Sequence, residues 1–146
     1  MKVLDAYQLA ARLHTGQTDK AGRPYIEHLT RVMLRVQEAG GDVHQQIAAL
    51  LHDAIEDGKA SADQLQWLGV PVEALESVLL LSRNKDQPYE DYLDAIKADS
   101  RALMVKACDL QDNANPARLA ALPESVAQRL RDKYSKAAQL LGISTM

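Results

Sequence analysis

Apolar residues return every three or four positions along almost the whole chain, the spacing that lines side chains up on one face of a helix. Ala6, Leu9 and Leu13 form such a stripe within residues 4–14, and Ile26, Leu29, Val32, Met33 and Val36 form another within 25–39. The strict alternation of a half-buried strand is hard to find. Turn chemistry fills the breaks: HTGQTDKAGRP holds two glycines and a proline, Gly40-Gly41 stops the second helix, and SRNKDQP is a polar loop. Asp42, Ser61 and Ser100 are expected caps, and Pro71 sits where a first helical residue would. Further helices are expected over about 43–57, 61–67, 72–81, 89–97, 101–113 and 123–141, with Pro116 ending the one before it. The expected fold is therefore all-α, a single compact bundle of roughly seven or eight helices. It should occupy residues 1–146 with no second domain.

Composition narrows the classes further. Hydrophobic residues make up 47% of the 146 positions, which excludes a disordered chain. Aromatics reach only 4% and Phe is absent, so the core must be built mostly from Leu, Ala, Val and Ile. A net charge of -3 argues against a nucleic-acid partner, which calls for a basic face. It leaves room for a small phosphorylated ligand, because a metal can supply local positive charge. Cys108 stands alone, so an internal disulfide is excluded and a reducing compartment fits. The N-terminal stretch is charged throughout and does not look like a signal peptide, and no apolar run has the length of a bilayer span. A cytoplasmic protein with no membrane partner is expected. The terminal helices show no decisive seam, which leaves the oligomeric state open.

LLHDAIED, residues 50–57, sets a histidine and three acids into an apolar helical pattern. His52 and Glu56 are four apart, as are Asp53 and Asp57, so on a continuous helix all of them look toward one side. Charged groups are seldom buried unless they are paired or hold a metal. One helix cannot enclose a cation, so further ligands must arrive from elsewhere. His28 in PYIEHL and Asp109 in VKACDLQDN both lie inside apolar helical segments. Alone, His28 would pass for a boundary histidine and Asp109 for an acid paired with Lys106. Glu56 and Asp57 at a helix C-terminus would oppose the macrodipole, an objection that a cation in front of them removes.

HTGQTDKAGRPYIEHL, AALLHDAIED and VKACDLQDN, in that order, resemble the HD superfamily of metal-dependent phosphohydrolases. The resemblance is closer still to the hydrolase domain of RelA/SpoT-type alarmone enzymes and their small single-domain relatives, and it spans residues 14–113. It implies that His28, His52, Asp53 and Asp109 are metal ligands, with Mn²⁺ usual and Fe²⁺, Co²⁺, Ni²⁺ or Zn²⁺ as alternatives. A mixed nitrogen–oxygen set suits such ions better than it suits structural zinc, which prefers thiolates. It implies that Glu56 and Asp57 are the catalytic acids that orient water and take its proton, Glu56 first. Lys20 matches a family phosphate lysine, and Asn113 matches an asparagine at the nucleoside pocket, where it can bond a sugar hydroxyl. Arg23 is added as a phosphate ligand on its position alone. Arg83 and Lys85 are candidates to close over a ligand. His14 and Gln17 match the start of the first block and are expected to shape its loop, whereas His44 looks like a surface residue.

Two departures stand out against that pattern. Asp19 occupies the place where the alarmone hydrolases usually have an arginine that stacks on guanine, and an aspartate cannot stack. The third block has DLQDN where relatives commonly have DRLHN, so Leu110 and Asp112 replace a basic residue and a histidine. The resemblance thus implies a phosphohydrolase that removes the 3′-pyrophosphate of a (p)ppGpp-like nucleotide and leaves the base open. A phosphatase or phosphodiesterase on another nucleotide, a ppApp-type substrate, and a non-hydrolytic nucleotide-binding regulatory domain are the alternatives.

Overall fold

The computed structural model describes residues 1–145. Among them are nine helices, with an isolated bridge between Thr18 and Pro24 as the only extended pairing. They are α1 (Val3–Leu13), α2 (Tyr25–Glu38), α3 (Val43–Leu51), α4 (Ala62–Trp67), α5 (Val72–Leu80), α6 (Tyr89–Lys97), α7 (Ser100–Asn113), α8 (Pro116–Ala120) and α9 (Glu124–Leu141). The all-α expectation holds, and the additional element is α8. Pro116 does not merely end α7; it opens a new turn of helix, where a missing N–H costs nothing.

Helix α3 is the axis of the bundle. Every residue from Gln45 to Leu51 is buried, and α1, α2, α5 and α7 pack around it. A helix hydrophobic all round belongs inside, and AALL supplies that surface with small and branched side chains. Its start is fixed by Asp42, which accepts from the Gln45 N–H and pairs with Arg101 of α7. The turn that ends α2 is tight: the Gly41 N–H bonds the Val36 carbonyl at 2.8 Å, and a Cβ on Gly41 would collide with the Val36 side chain. At α7 the cap is Asp99 rather than the expected Ser100, since Asp99 Oδ1 accepts from the N–H groups of Arg101 and Ala102.

The largest correction concerns LLHDAIED. The helix expected over 43–57 ends at Leu51, with His52 as its C-terminal cap, and residues 52–58 form successive turns. The Ala54 and Gly58 N–H groups bond the carbonyls three residues back, whereas the Asp57 N–H bonds the Asp53 carbonyl four residues back, so tight and α-type turns alternate. Gly58 closes the stretch with a φ of 71°. No continuous α-helix therefore carries the four polar residues, and tertiary contacts orient each of them.

Candidate metal centre

Three elements meet where α3 ends. α2 contributes His28, the turn after α3 contributes His52 and Asp53, and α7 contributes Asp109. One ligand atom from each of these four lies within 4.8 Å of the others. His28 and His52 are each only 2% exposed and Asp109 5%, so this is an interior cluster.

The hydrogen bonds decide which ring nitrogens face it. His52 Nδ1 lies 2.6 Å from the Ala49 carbonyl, which can only accept, so Nδ1 carries the hydrogen. In the neutral ring Nε2 is then a bare lone pair, yet it lies 3.1 Å from Asp109 Oδ1 and 3.2 Å from Asp53 Oδ2. Acceptors held against acceptors need a proton or a cation between them. His28 repeats the arrangement: Nδ1 donates to Asp112 Oδ2 at 2.7 Å, while Nε2 lies 3.1 Å from Asp109 Oδ1. Burial pulls the His52 imidazole down, but the Asp53 and Asp109 carboxylates outweigh it and push the pKa up to about 10. Burial likewise opposes ionisation of Asp109, but Lys106 and the two imidazoles hold it well below the usual carboxylate range. Two imidazole nitrogens and two carboxylates, desolvated and converging, fit a divalent ion.

Supporting contacts orient the cluster. Asp112, fully buried, holds His28 and also accepts from Arg31 Nε at 2.8 Å and from the Arg118 guanidinium at 3.0 Å. The residue that breaks the family pattern at this position thus serves the histidine behind the cluster. Tyr25 donates its hydroxyl to Asp53, and burial with that carboxylate pushes the phenol well above its usual range. Lys106 Nζ bonds Asp109 Oδ2 at 3.1 Å and Asn113 Nδ2 bonds Oδ1 at 3.3 Å.

Two cavities flank the cluster. The first, of about 260 Å³, is lined by Asp19, Lys20, Tyr25, Asn113 and Arg118 on one side, with Leu119, Leu122, Leu130 and Tyr134 supplying an apolar wall. The second, of about 340 Å³, is lined by Glu56, Arg83, Lys85, Tyr89, Tyr92, Lys106 and Lys133. Lys20 and Asn113 both line the first cavity. Arg23 does not: two-thirds exposed, it forks onto Glu27 one turn along α2, where a nearby carboxylate captures it.

Arg118 takes a place the sequence did not disclose. Its guanidinium donates to Asp19 Oδ2 at 3.1 Å, to Asp112 Oδ2 at 3.0 Å and to Asn113 Oδ1 at 3.1 Å. Two of the three residues that depart from the family pattern, Asp19 and Asp112, are therefore acids paired with one arginine from α8. Burial disfavours the Asp19 charge, but the Arg23 N–H and Arg118 outweigh it and hold the carboxyl below its ordinary value. The other Asp19 oxygen accepts from the N–H groups of Ala21 and Arg23 and so shapes the loop. No spacing rule links positions 19, 112 and 118; only the docking of α8 does.

The acidic pair diverges. Glu56 Oε1 accepts the Arg83 N–H at 2.8 Å and faces the second cavity, whereas Asp57 Oδ2 accepts from Gln17 Nε2 at 3.0 Å. Gln17 in turn meets His14 Nδ1 at 2.7 Å, and His14 is buried against the Tyr25 ring.

Comparison with known proteins agrees with this architecture. The HD domain family model matches residues 6–75, so this part of the chain is similar to HD domains. Among curated relatives, it is 33% identical over 156 aligned positions to the bifunctional (p)ppGpp synthase/hydrolase SpoT of Escherichia coli, covering 97% of this chain and 22% of SpoT. It is 36% identical over 115 positions to the guanosine-3′,5′-bis(diphosphate) 3′-pyrophosphohydrolase of Aquifex aeolicus, covering 74% of this chain and 16% of that protein. The chain therefore spans only 16% to 22% of the length of these relatives. A solved structure described as a metazoan orthologue of SpoT that hydrolyses ppGpp superposes with a TM-score of 0.74 at 26% identity, covering 95% of this chain and 82% of that one.

Proposed function

We propose that this protein is a metal-dependent phosphohydrolase that removes the 3′-pyrophosphate of a (p)ppGpp-like alarmone nucleotide. The observation that carries the reading is a buried His28–His52–Asp53–Asp109 cluster bonded by Tyr25 and Asn113, which line an apolar-walled cavity, and by Lys106, which lines a cationic one. The names of its relatives support the substrate class. Held by those four residues, a divalent ion, Mn²⁺ in this proposal, supplies charge that acidifies water and neutralises phosphate oxygen. Among the described residues no helix is long and apolar enough to cross a membrane, and we place the activity in the cytoplasm.

Glu56 acts as the general base, with Asp57 the second candidate, and Lys20 meets phosphate charge. Asn113 meets the sugar, and the leucine wall takes the base. In the reaction, the oxygen of water bonds to the phosphorus attached to the ribose 3′-oxygen. The bond between that phosphorus and the 3′-oxygen breaks, the 3′-oxygen gains a proton, and pyrophosphate is released.

A second reading rests on Asp19 and Arg118. An arginine clamped from α8, rather than carried by the loop, alters the wall on which a base would lie, so another nucleotide could be the substrate. A panel of ppGpp, pppGpp, ppApp and ordinary nucleotides with Mn²⁺, products resolved, tests both. Pyrophosphate from an alarmone is expected. Orthophosphate or a nucleoside monophosphate from another nucleotide, with every alarmone untouched, would replace the first reading with the second.

A further inference from the structure

His14 is buried, only 3% exposed, and its Nε2 is the one buried side-chain nitrogen or oxygen that meets no hydrogen-bond partner among the described residues. An unpaired polar group in the interior opposes folding, so packing alone would favour an apolar side chain here. What the imidazole supplies is its other nitrogen. Nδ1 lies 2.7 Å from Gln17 Oε1, and Gln17 Nε2 lies 3.0 Å from Asp57 Oδ2. The directions of both bonds are forced. A carboxylate only accepts, so the Gln17 amide turns its nitrogen to Asp57 and its oxygen to His14. That oxygen also only accepts, so His14 Nδ1 carries the hydrogen.

The relay is rigid at its inner end. His14 caps α1, its N–H bonds the Ala10 carbonyl at 3.0 Å, and its ring lies 5.3 Å from that of Tyr25. Tyr25 lies 5.5 Å from His28, and His28 lies 6.0 Å from His52, so four rings stand in file from the end of α1 to the candidate metal centre. Tyr25 therefore backs the histidine that serves Asp57 and itself holds Asp53 through its hydroxyl. The Gln17 backbone is pinned on both sides: its N–H bonds the His14 carbonyl at 3.0 Å, and its carbonyl accepts the Tyr25 N–H at 2.9 Å. Gly16, with a φ of 81°, sits at the third position of that turn, where a positive φ is required. Asp57, at the outer end, is exposed on the turn after α3, where an unheld side chain samples several rotamers.

We propose that His14, acting through Gln17, is a positioning residue for the Asp57 carboxylate: it fixes one oxygen of the acid at a set place relative to Asp53 and leaves the other oxygen to the reaction. This rests on the hydrolase reading above and deepens it. A group held in place before the chemical step raises kcat without adding binding, so the signature is a fall in kcat at constant KM, without loss of stability.

The test is pyrophosphate release from ppGpp by the Mn²⁺-loaded full chain and its variants, beside the carboxyl carbon NMR signal of Asp57 in the Zn²⁺-loaded, diamagnetic protein. His14→Leu is expected to lower kcat about five- to tenfold, the worth of one hydrogen bond, with KM and melting temperature unchanged. His14→Asn, whose amide nitrogen stands where Nδ1 stood, should recover most of the loss, whereas His14→Gln, which reaches toward the Nε2 position, should not. In an Asp57→Ala background His14→Leu should cost nothing further. The Asp57 signal should move alike in His14→Leu and Gln17→Ala and return in His14→Asn. A wild-type kcat in His14→Leu, a fall in melting temperature with kcat intact, a loss that persists in the Asp57→Ala background, or an Asp57 signal that does not move overturns the proposal. If ppGpp is cleaved and the signal stays put, this inference alone fails. If the signal responds as described while ppGpp is untouched by the wild type, the relay stands and the alarmone reading falls.

Discussion

His52 and Asp53 precede Glu56 and Asp57 by a few residues, yet the two sets are held by different means. The four candidate ligands face the interior, anchored on α2, on the end of α3 and on α7, and fixed from behind by Asp112, Ala49, Tyr25 and Lys106. The acids lie on an exposed turn, and each is steadied by a different loop: the one after α5 for Glu56, the one after α1 for Asp57. A metal centre needs several donors within a few tenths of an ångström, which packed helices supply. A proton acceptor must meet solvent and substrate, which a turn at the surface permits. The difference separates a rigid cluster from a pair that ligand-bearing loops can adjust.

Asp109→Ala should be the most damaging change. It removes the carboxylate shared by both imidazoles and leaves the partly buried Lys106 without its carboxylate partner, so activity should vanish and stability fall by about 1.5–3 kcal/mol. A variant that still bound Mn²⁺ in calorimetry would mean the cluster is not the ion site. Next, Glu56→Gln should lower kcat by about 10²–10⁴-fold with Mn²⁺ affinity unchanged. If Asp57→Asn has the larger effect, the roles of the two acids are exchanged. Loss of metal affinity with either would erase the distinction between ligands and acids.

Asp112→Asn tests the support behind the ligands. It should weaken Mn²⁺ binding by about 10–100-fold while the ion still binds, measured by competition with a chelator. Unchanged affinity would mean that Arg31 and Arg118, not His28, are what Asp112 serves. The proton on His52 offers a subtler test. In chelator it stabilises the fold fully below the ordinary value of 6.5, and this contribution is lost as pH rises through about 10. An ion needs the bare nitrogen, so its advantage grows as the proton leaves. The gap in melting temperature between Mn²⁺-loaded and chelated protein should therefore widen from about pH 7 to about pH 10. A gap independent of pH would show that no proton is displaced. The smallest effect is expected from Gln17→Ala, which frees Asp57 at a cost of about 1 kcal/mol and should change kcat less than Glu56→Gln does.

Helical periodicity and turn residues made the all-α fold legible from sequence, because local spacing leaves marks that do not depend on long-range contacts, whereas the four clustered side chains were legible through the family resemblance of the three blocks that carry them. The reach of the third helix was not legible, since LLHDAIED keeps an apolar spacing through a stretch where His52 caps α3 and the backbone tightens into turns. Arg23 stood near the Lys20 loop in sequence, but the structure pairs it with Glu27, one helical turn away, outside both cavities. Arg118 and Lys133 were assigned no part in the site, and Lys106 only one as a partner of Asp109, because a cation acquires its place through what it faces. What the sequence by itself determined is the helical scaffold and the donor set that converges within it. Only tertiary structure decided that Asp19 and Asp112 share Arg118, that Glu56 and Asp57 part company, and that α9 brings Lys133 to a cationic cavity, because those pairings join positions up to 99 residues apart that packing alone brings together.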